Sequence, residues 1–231
     1  MRDWIVQWLT EVTQPFWHSS LSIDQFVTAL QETFQMVFFA LIFGGIWGLI
    51  QAIVLLVTRP EGILPNAVVY HILNPIVNAL RSLPFIILLI AVIPFTQWLV
   101  GSSIGTWAAI VPLTIYVGPY MGRLIETSLL EVNEGIIESA QSMGATPWQI
   151  IFKFILPEAR SSLILNMTTA TISLIGATAM AGAVGAGGIG ALAISYGYQR
   201  FDSSVIILTV IVLLILVQIV QTLGNWLAKL R

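Results

Sequence analysis

Two kinds of residue are scarce in this chain: it contains no cysteine, and only 9% of its 231 residues are charged. The absence of cysteine excludes disulfides and thiolate metal sites. A soluble domain carries about 25% charged residues, so these few charges could not cover a water-soluble protein of this size. No basic patch is present to hold a phosphate backbone, which excludes nucleic acid as a partner. With 57% hydrophobic residues, the composition places the chain in a lipid bilayer.

Charged residues mark the places where a membrane helix cannot be centred, because an ionised side chain costs at least about 2.5 kcal/mol at the bilayer centre. Long uncharged stretches separate them, and each span needs about 20 apolar residues. The sequence therefore predicts an all-α polytopic membrane protein with five transmembrane helices. Their expected positions are about 34–57, 75–100, 104–126, 157–184 and 203–228.

The basic residues predict the orientation of these five spans. An odd number of spans puts the two termini on opposite sides of the membrane, and basic residues favour the cytoplasm. With the C-terminus in the cytoplasm, only Arg2 and Arg200 lie outside. We therefore expect an external N-terminus and a cytoplasmic C-terminus, with these seven basic residues inside: Arg59, Arg81, Arg123, Lys153, Arg160, Lys229 and Arg231.

The chain carries no recognisable energy source of its own. An ion-coupled carrier usually holds acidic or histidine residues in mid-membrane, whereas Glu32 and Glu126 fall at predicted helix ends. A phosphate-binding loop of the GxxxxGK[ST] form is absent. The glycines at 185–190 match GxGxxG, but no strand precedes them and Asp202 follows too soon for a ribose contact. We interpret them as a helix exit where backbones pack closely, and infer that a partner supplies the energy.

A polar segment interrupts the apolar sequence between Glu126 and Arg160, on the predicted cytoplasmic side. It predicts two short helices, at about 133–142 and 146–154. Gly144 lies between them, where a chain reversal requires positive φ. Thr146 suits the N-cap of the second helix and Pro147 its first turn. Such a rigid helix–turn–helix, joined to two spans, is typical of a protein–protein contact.

The sequence ESAQSMGATPWQIIFKFILPEA, which begins at Glu138, resembles the coupling loop of ABC importer permeases, EAA-x3-G-x9-I-x-LP. Ser139 and Phe154 depart from that pattern. The resemblance implies a type I ABC importer permease fold in which the loop 133–157 contacts a separate ATPase. The residues it assigns to this contact are Glu138, Ser139, Ala140, Gly144, Phe154, Leu156 and Pro157.

Two further stretches, starting at Arg81 and at Ala177, resemble the methionine importer permeases among the type I importers. This resemblance covers most of 33–229. It implies a homodimer in a bacterial inner membrane, two copies of a cytoplasmic ATPase, and an external methionine-binding protein. ATP and magnesium would be bound by the ATPase and no cofactor by this chain, which would not itself be an enzyme. The resemblance also implies that Ala177 and Met180 line the substrate pathway.

Residues 1–32 fall outside the resemblance and form a separate predicted segment outside the membrane. Apolar residues recur at helical spacing on one face: Trp4, Ile5, Trp8, Leu9 and Val12. Tryptophan prefers the headgroup level, so this pattern predicts a helix lying flat on the membrane. The alternative is a contact with the external binding protein.

Three alternatives to a methionine permease remain at this point. The same machine could carry another amino acid or a small apolar peptide. An intramembrane enzyme would need a Ser/His pair or two aspartates at membrane depth, but the only aspartates are Asp3, Asp24 and Asp202. A structural membrane anchor would have no need for the loop between Glu138 and Pro157.

Overall fold

The computed structural model describes residues 21–230, and within that range the chain forms helices and no strands. The all-α prediction is therefore confirmed. The predicted interfacial helix falls mostly before residue 21, outside the described part of the chain. In order, the helices are α1 (Ile23–Thr58), α2 (Ala67–Ser82), α3 (Phe85–Val100), α4 (Thr106–Leu130) and α5 (Glu134–Ser142). A continuous helical run, α6, follows as Pro147–Gln149, a π-helical segment Ile150–Ile155, and Leu156–Glu158. Then come α7 (Arg160–Ala181) with a 3₁₀ turn Gly182–Val184, α8 (Gly188–Leu192) with a π-helical extension Ala193–Tyr198, and α9 (Ser203–Lys229).

Four of the described helices, α1, α4, α7 with its 3₁₀ turn, and α9, are long and apolar enough to cross a membrane. Helices α2 and α3 together pass the same criteria as one span broken by a 110° bend. The described residues thus contain four or five spans by length and composition. We call the end of the bundle that carries α5 and α6 the hairpin end, and the end that carries residues 182–190 the glycine-loop end.

The helix that contains the first predicted span, 34–57, starts earlier than that span, at Ile23. Ser22 caps the helix: its Oγ accepts a hydrogen bond from the Gln25 N–H at 3.3 Å, and Gln25 Oε1 accepts one from the Ser22 N–H at 3.1 Å. Asp24 lies in the first turn, where its negative charge interacts favourably with the positive end of the helix dipole. The 36 residues of α1 span about 54 Å, well beyond a hydrocarbon core of about 30 Å. Acidic residues near its start are therefore compatible with a membrane helix.

The prediction of one continuous helix at 75–100 is wrong, because two helices bent by 110°, Ala67–Ser82 and Phe85–Val100, cover that range. The chain bends at Leu83, whose φ of −74° and ψ of 128° are extended. Pro84 causes this break, because the residue before a proline is disfavoured in the helical region. Pro75, where the prediction began the span, lies inside α2 instead. The result is an elbow, with α2 turned away from α3 at the hairpin end.

Helices α1 and α4 pack backbone to backbone through glycines at four-residue spacing. A Cβ added at Gly48 would lie 2.8 Å from both the Gly118 carbonyl oxygen and the Gly122 nitrogen. A Cβ added at Gly44 would overlap the Val117 side chain. Small residues at this spacing let membrane helices approach closely. The contact joins the longest helix to the central one and fixes their relative position.

The glycine-rich segment ends α7, as the sequence predicted, and it lies at one end of the bundle. Its backbone bonds to the α3–α4 connection, since the Gly105 N–H donates to the Gly185 carbonyl at 2.9 Å. It also bonds to α1: Glu32 Oε2 accepts from the Gly188 N–H at 2.7 Å, and Thr33 Oγ1 accepts from the Ile189 N–H at 2.9 Å. These bonds tie three elements together at the glycine-loop end.

Candidate functional site

The polar segment folds as the predicted helical hairpin, α5–turn–α6. Asn133 caps α5 by accepting a hydrogen bond from the Gly135 N–H at 2.8 Å. Gly144 adopts a φ of 74° in the turn, a conformation that other residues rarely adopt. Thr146 then caps α6: its Oγ1 accepts from the Gln149 N–H at 3.4 Å, and Gln149 Oε1 accepts from the Thr146 N–H at 2.9 Å. Local signals alone therefore specify this hairpin.

One side of the hairpin is anchored in the bundle. Ala140 has no exposed surface and belongs to a buried apolar cluster that includes Leu56 of α1 and Leu129 of α4. Phe154 and Leu156 are half-buried and pack against the same cluster. These three residues therefore pack the hairpin against α1 and α4.

The opposite side of the hairpin is exposed. It presents Glu138, Ser139 and Gly144 to the surroundings, and Pro157 is exposed at the far end of α6. Three large apolar side chains are exposed on the same hairpin, and the sequence analysis did not single them out. Among them, Trp148 and Phe152 stack with ring centroids 5.8 Å apart. The third is Met143, which precedes the turn.

A cavity of about 270 Å³ lies beside Glu138. Its second wall is the connection between α1 and α2, which contributes Arg59 and Glu61. The Arg59 Nε is buried and has no hydrogen-bond partner among the described residues. Sequence reasoning missed this wall, because no local pattern places residue 59 beside residue 138. The cavity is lined by Leu56, Arg59, Glu61, Gly62, Ile63, Glu134, Ile137, Glu138, Gln141 and Ile155.

A charged network fastens the elbow helix α2 to α4 near the hairpin end. The Arg123 Nη1 donates to Glu126 Oε2 at 2.8 Å, and its Nη2 donates to Asn74 Oδ1 at 2.6 Å and to Asn78 Oδ1 at 2.7 Å. The expectation that Glu126 sits at a helix end is wrong, because α4 continues to Leu130. Glu126 is only 3% exposed, so the guanidinium compensates a buried carboxylate.

Polar side chains also join α4 to α7. Asn166 Nδ2 donates to Ser128 Oγ at 2.7 Å. Nearer the other end of the bundle, the Tyr116 hydroxyl and the Ser173 hydroxyl lie 3.0 Å apart and share a hydrogen bond. Hydrogen bonds of this kind hold membrane helices to one another, so α4 and α7 are expected to move as a unit.

The two predicted pathway residues lie in different surroundings on α7. Met180 is 54% exposed on the surface of the subunit. Ala177 is 3% exposed and belongs to the subunit's own apolar core, together with Met36 and Leu113. Of these two residues, only Met180 has a side chain that is exposed on the surface of the chain.

The fold and the site together define a class. Several helices of membrane-spanning length form a bundle, and an exposed helical hairpin packs onto that bundle at one end. These are the features of a polytopic membrane protein with a surface hairpin.

Comparison with known proteins identifies the family. Residues 44–230 match the family described as "Binding-protein-dependent transport system inner membrane component". The chain is 45% identical over 210 residues to the probable D-methionine transport system permease protein MetI of Vibrio cholerae, covering 91% of this chain and 93% of that one. It is 47% identical over 156 residues to D-methionine transport system permease protein MetI of Escherichia coli K12, covering 68% and 72% of the two chains. This chain therefore belongs to the inner membrane permease family of binding-protein-dependent transport systems.

Solved structures agree with this assignment. A chain of the MetNI methionine ABC transporter in an inward-facing conformation superposes with a TM-score of 0.87 at 44% identity, covering 90% of this chain and 96% of that one. A chain of an amino acid ABC transporter with histidines shares the fold at a TM-score of 0.74 and 17% identity, covering 89% and 94%. The predicted type I importer permease fold is confirmed.

Proposed function

We propose that this chain is the permease subunit of an ATP-driven ABC importer that takes up methionine by alternating access. A separate ATPase drives it through the loop from Glu138 to Pro157. The observation that carries this proposal is the two-sided hairpin, with Ala140 fully buried against the spans and Glu138 exposed on the outer side. An element that is rigid, exposed and packed on two spans suits the transmission of a mechanical step.

The proposed assembly has two copies of this chain and two copies of a cytoplasmic ATPase, which binds ATP and magnesium. An external methionine-binding protein delivers the substrate. The hairpin end faces the cytoplasm, in line with the basic residues Arg59, Arg123 and Lys153 near it. The N-terminus then lies outside and the C-terminus inside. The methionine assignment is supported by relatives above 40% identity whose names specify D-methionine transport.

The transport step follows from the packing. Closure of the ATPase dimer displaces the two hairpins, and each hairpin carries α1 and α4 through the buried cluster around Ala140. Helix α7 follows α4 through the Asn166–Ser128 and Tyr116–Ser173 bonds. The bundle shifts as a rigid body, so the path between the two subunits opens outward. Met180, exposed on α7, lines that path and meets the thioether of the substrate.

Two substitutions at one position test the coupling role. Gly144 has a φ of 74° and open space where a Cβ would lie, so backbone conformation alone decides which residue fits. Asparagine tolerates this left-handed conformation, whereas a β-branched residue does not. We expect Gly144→Val to abolish substrate-stimulated ATP turnover in the assembled transporter and Gly144→Asn to retain most of it. Equal turnover in both variants, at equal amounts of assembled complex, would contradict the coupling role.

A further inference from the structure

Glu32 and Thr33 of α1 cap the N-terminus of another helix, α8. The first N–H groups of a helix have no acceptor within that helix. At the start of α8, the Gly188 N–H donates to Glu32 Oε2 at 2.7 Å and the Ile189 N–H donates to Thr33 Oγ1 at 2.9 Å. A carboxylate is a strong acceptor for such a group and interacts favourably with the helix dipole. The start of α8 is therefore held on α1 by side chains of α1.

The glycine-rich segment has the backbone conformation that this contact requires. Gly187 adopts a φ of 85° and a ψ of −160°, a conformation that is essentially restricted to glycine. A Cβ added at Gly187 would lie 2.9 Å from the Glu32 carboxyl carbon, and one added at Gly188 would lie 2.7 Å from Thr33 Oγ1. The two glycines therefore allow the backbone to approach these two side chains.

Helix α8 in turn packs backbone to backbone on the end of α7. A Cβ added at Gly190 would overlap the backbone of Ala179, and one added at Gly182 would overlap the backbone of Ala191. Met180 lies between these two contacts along α7, and its side chain is 54% exposed. The position of Met180 thus depends on where α8 lies.

The other end of α1 packs against the hairpin. Ala52 and Leu56 belong to the buried apolar cluster that contains Ala140 of α5. A helix rises 1.5 Å per residue, so about 36 Å of helix separates Leu56 from Glu32. Helix α1 is continuous from Ile23 to Thr58. It therefore contacts the hairpin near one end and α8 nearer the other.

We propose that Glu32 is a positioning residue for the substrate pathway. It holds α8 on α1, so a displacement of α1 by the hairpin reaches the part of α7 that contains Met180. This inference rests on the proposed function, in which the hairpin moves α1 and Met180 lines the path. It adds a connection between hairpin and pathway that does not pass through α4. Glu32 acts through α8 and needs no contact with the substrate.

The first test measures amide hydrogen exchange in the assembled transporter without substrate, so it does not depend on transport. We expect Glu32→Ala to speed exchange about tenfold in residues 185–192 and to speed it in residues 176–184 as well. Glu32→Gln keeps an oxygen that can accept the Gly188 N–H, so its exchange should stay close to the wild type. Gln31→Ala is the matched control, since Gln31 is exposed one residue earlier in α1. Unchanged exchange in either segment of Glu32→Ala would overturn the inference.

The second test measures the methionine taken up per ATP hydrolysed, in vesicles that contain the transporter and its binding protein. At equal amounts of assembled complex, we expect this ratio to fall several-fold in Glu32→Ala and to stay close to the wild type in Glu32→Gln and Gln31→Ala. A wild-type ratio in Glu32→Ala would overturn the inference, and so would an equal fall in Glu32→Gln. If the wild type took up no methionine, the proposed function would fail, while hydrogen exchange would still decide whether Glu32 positions the end of α7.

Discussion

Replacing Arg123 with alanine should destabilise the chain more than the loss of any exposed charge. The guanidinium lies 2.8 Å from Glu126, and the two side chains are 23% and 3% exposed. Removing one partner of a buried ion pair costs about 3–5 kcal/mol, because it leaves an uncompensated charge. Arg123 is partly exposed, so we expect a loss near 3 kcal/mol in the free energy of unfolding, measured in mixed micelles with a denaturing detergent.

The matched control for this prediction is Arg160→Ala, because Arg160 is exposed at the start of α7. Its loss should change the free energy of unfolding by less than about 0.5 kcal/mol. The double variant Arg123→Leu with Glu126→Leu should recover most of the stability, since apolar residues can replace a buried pair. A loss below about 1 kcal/mol for Arg123→Ala, or no recovery in the double variant, would refute the reasoning.

Three other predictions concern packing, pathway and topology. Gly48→Val should lower the free energy of unfolding by about 1–3 kcal/mol, because its Cβ would lie 2.8 Å from backbone atoms of α4. Gly176 has open space where a Cβ would lie, so Gly176→Ala should be neutral in the same unfolding assay. Met180→Glu should cripple methionine uptake while the ATPase still copurifies with the permease, and unchanged uptake would assign Met180 to packing. A reporter protein that works only in the cytoplasm should be active when it is fused after Arg231. Activity of a reporter that works only on the outer side of the membrane would contradict the topology.

Local sequence signals predicted the hairpin well, because its structure depends on neighbouring residues. Gly144 was predicted in the turn and Thr146 at the N-cap of the second helix, and the structure places both in those roles. The glycine-rich helix exit was predicted for the same reason, since several consecutive glycines disfavour a helix whatever surrounds them.

Features that depend on distant residues were missed. Charge spacing alone could not show that α1 extends to Ile23, because the first ten residues of that helix are not required to be apolar. The bend at Pro84 has a local cause, the proline itself, and it was missed because the uncharged stretch around it looks continuous by hydropathy. Arg59 lies beside the hairpin only through tertiary packing, and Arg123 reaches Asn74 and Asn78 only because α2 packs on α4.

The central claim is that this chain performs transport with energy supplied by another subunit through the hairpin. The most direct measurement is methionine uptake into vesicles that contain the purified chain, with and without its ATPase, binding protein and ATP. We predict uptake only when the ATPase, the binding protein and ATP are all present. Concentrative uptake by the chain alone, without any nucleotide-hydrolysing subunit, would contradict the claim.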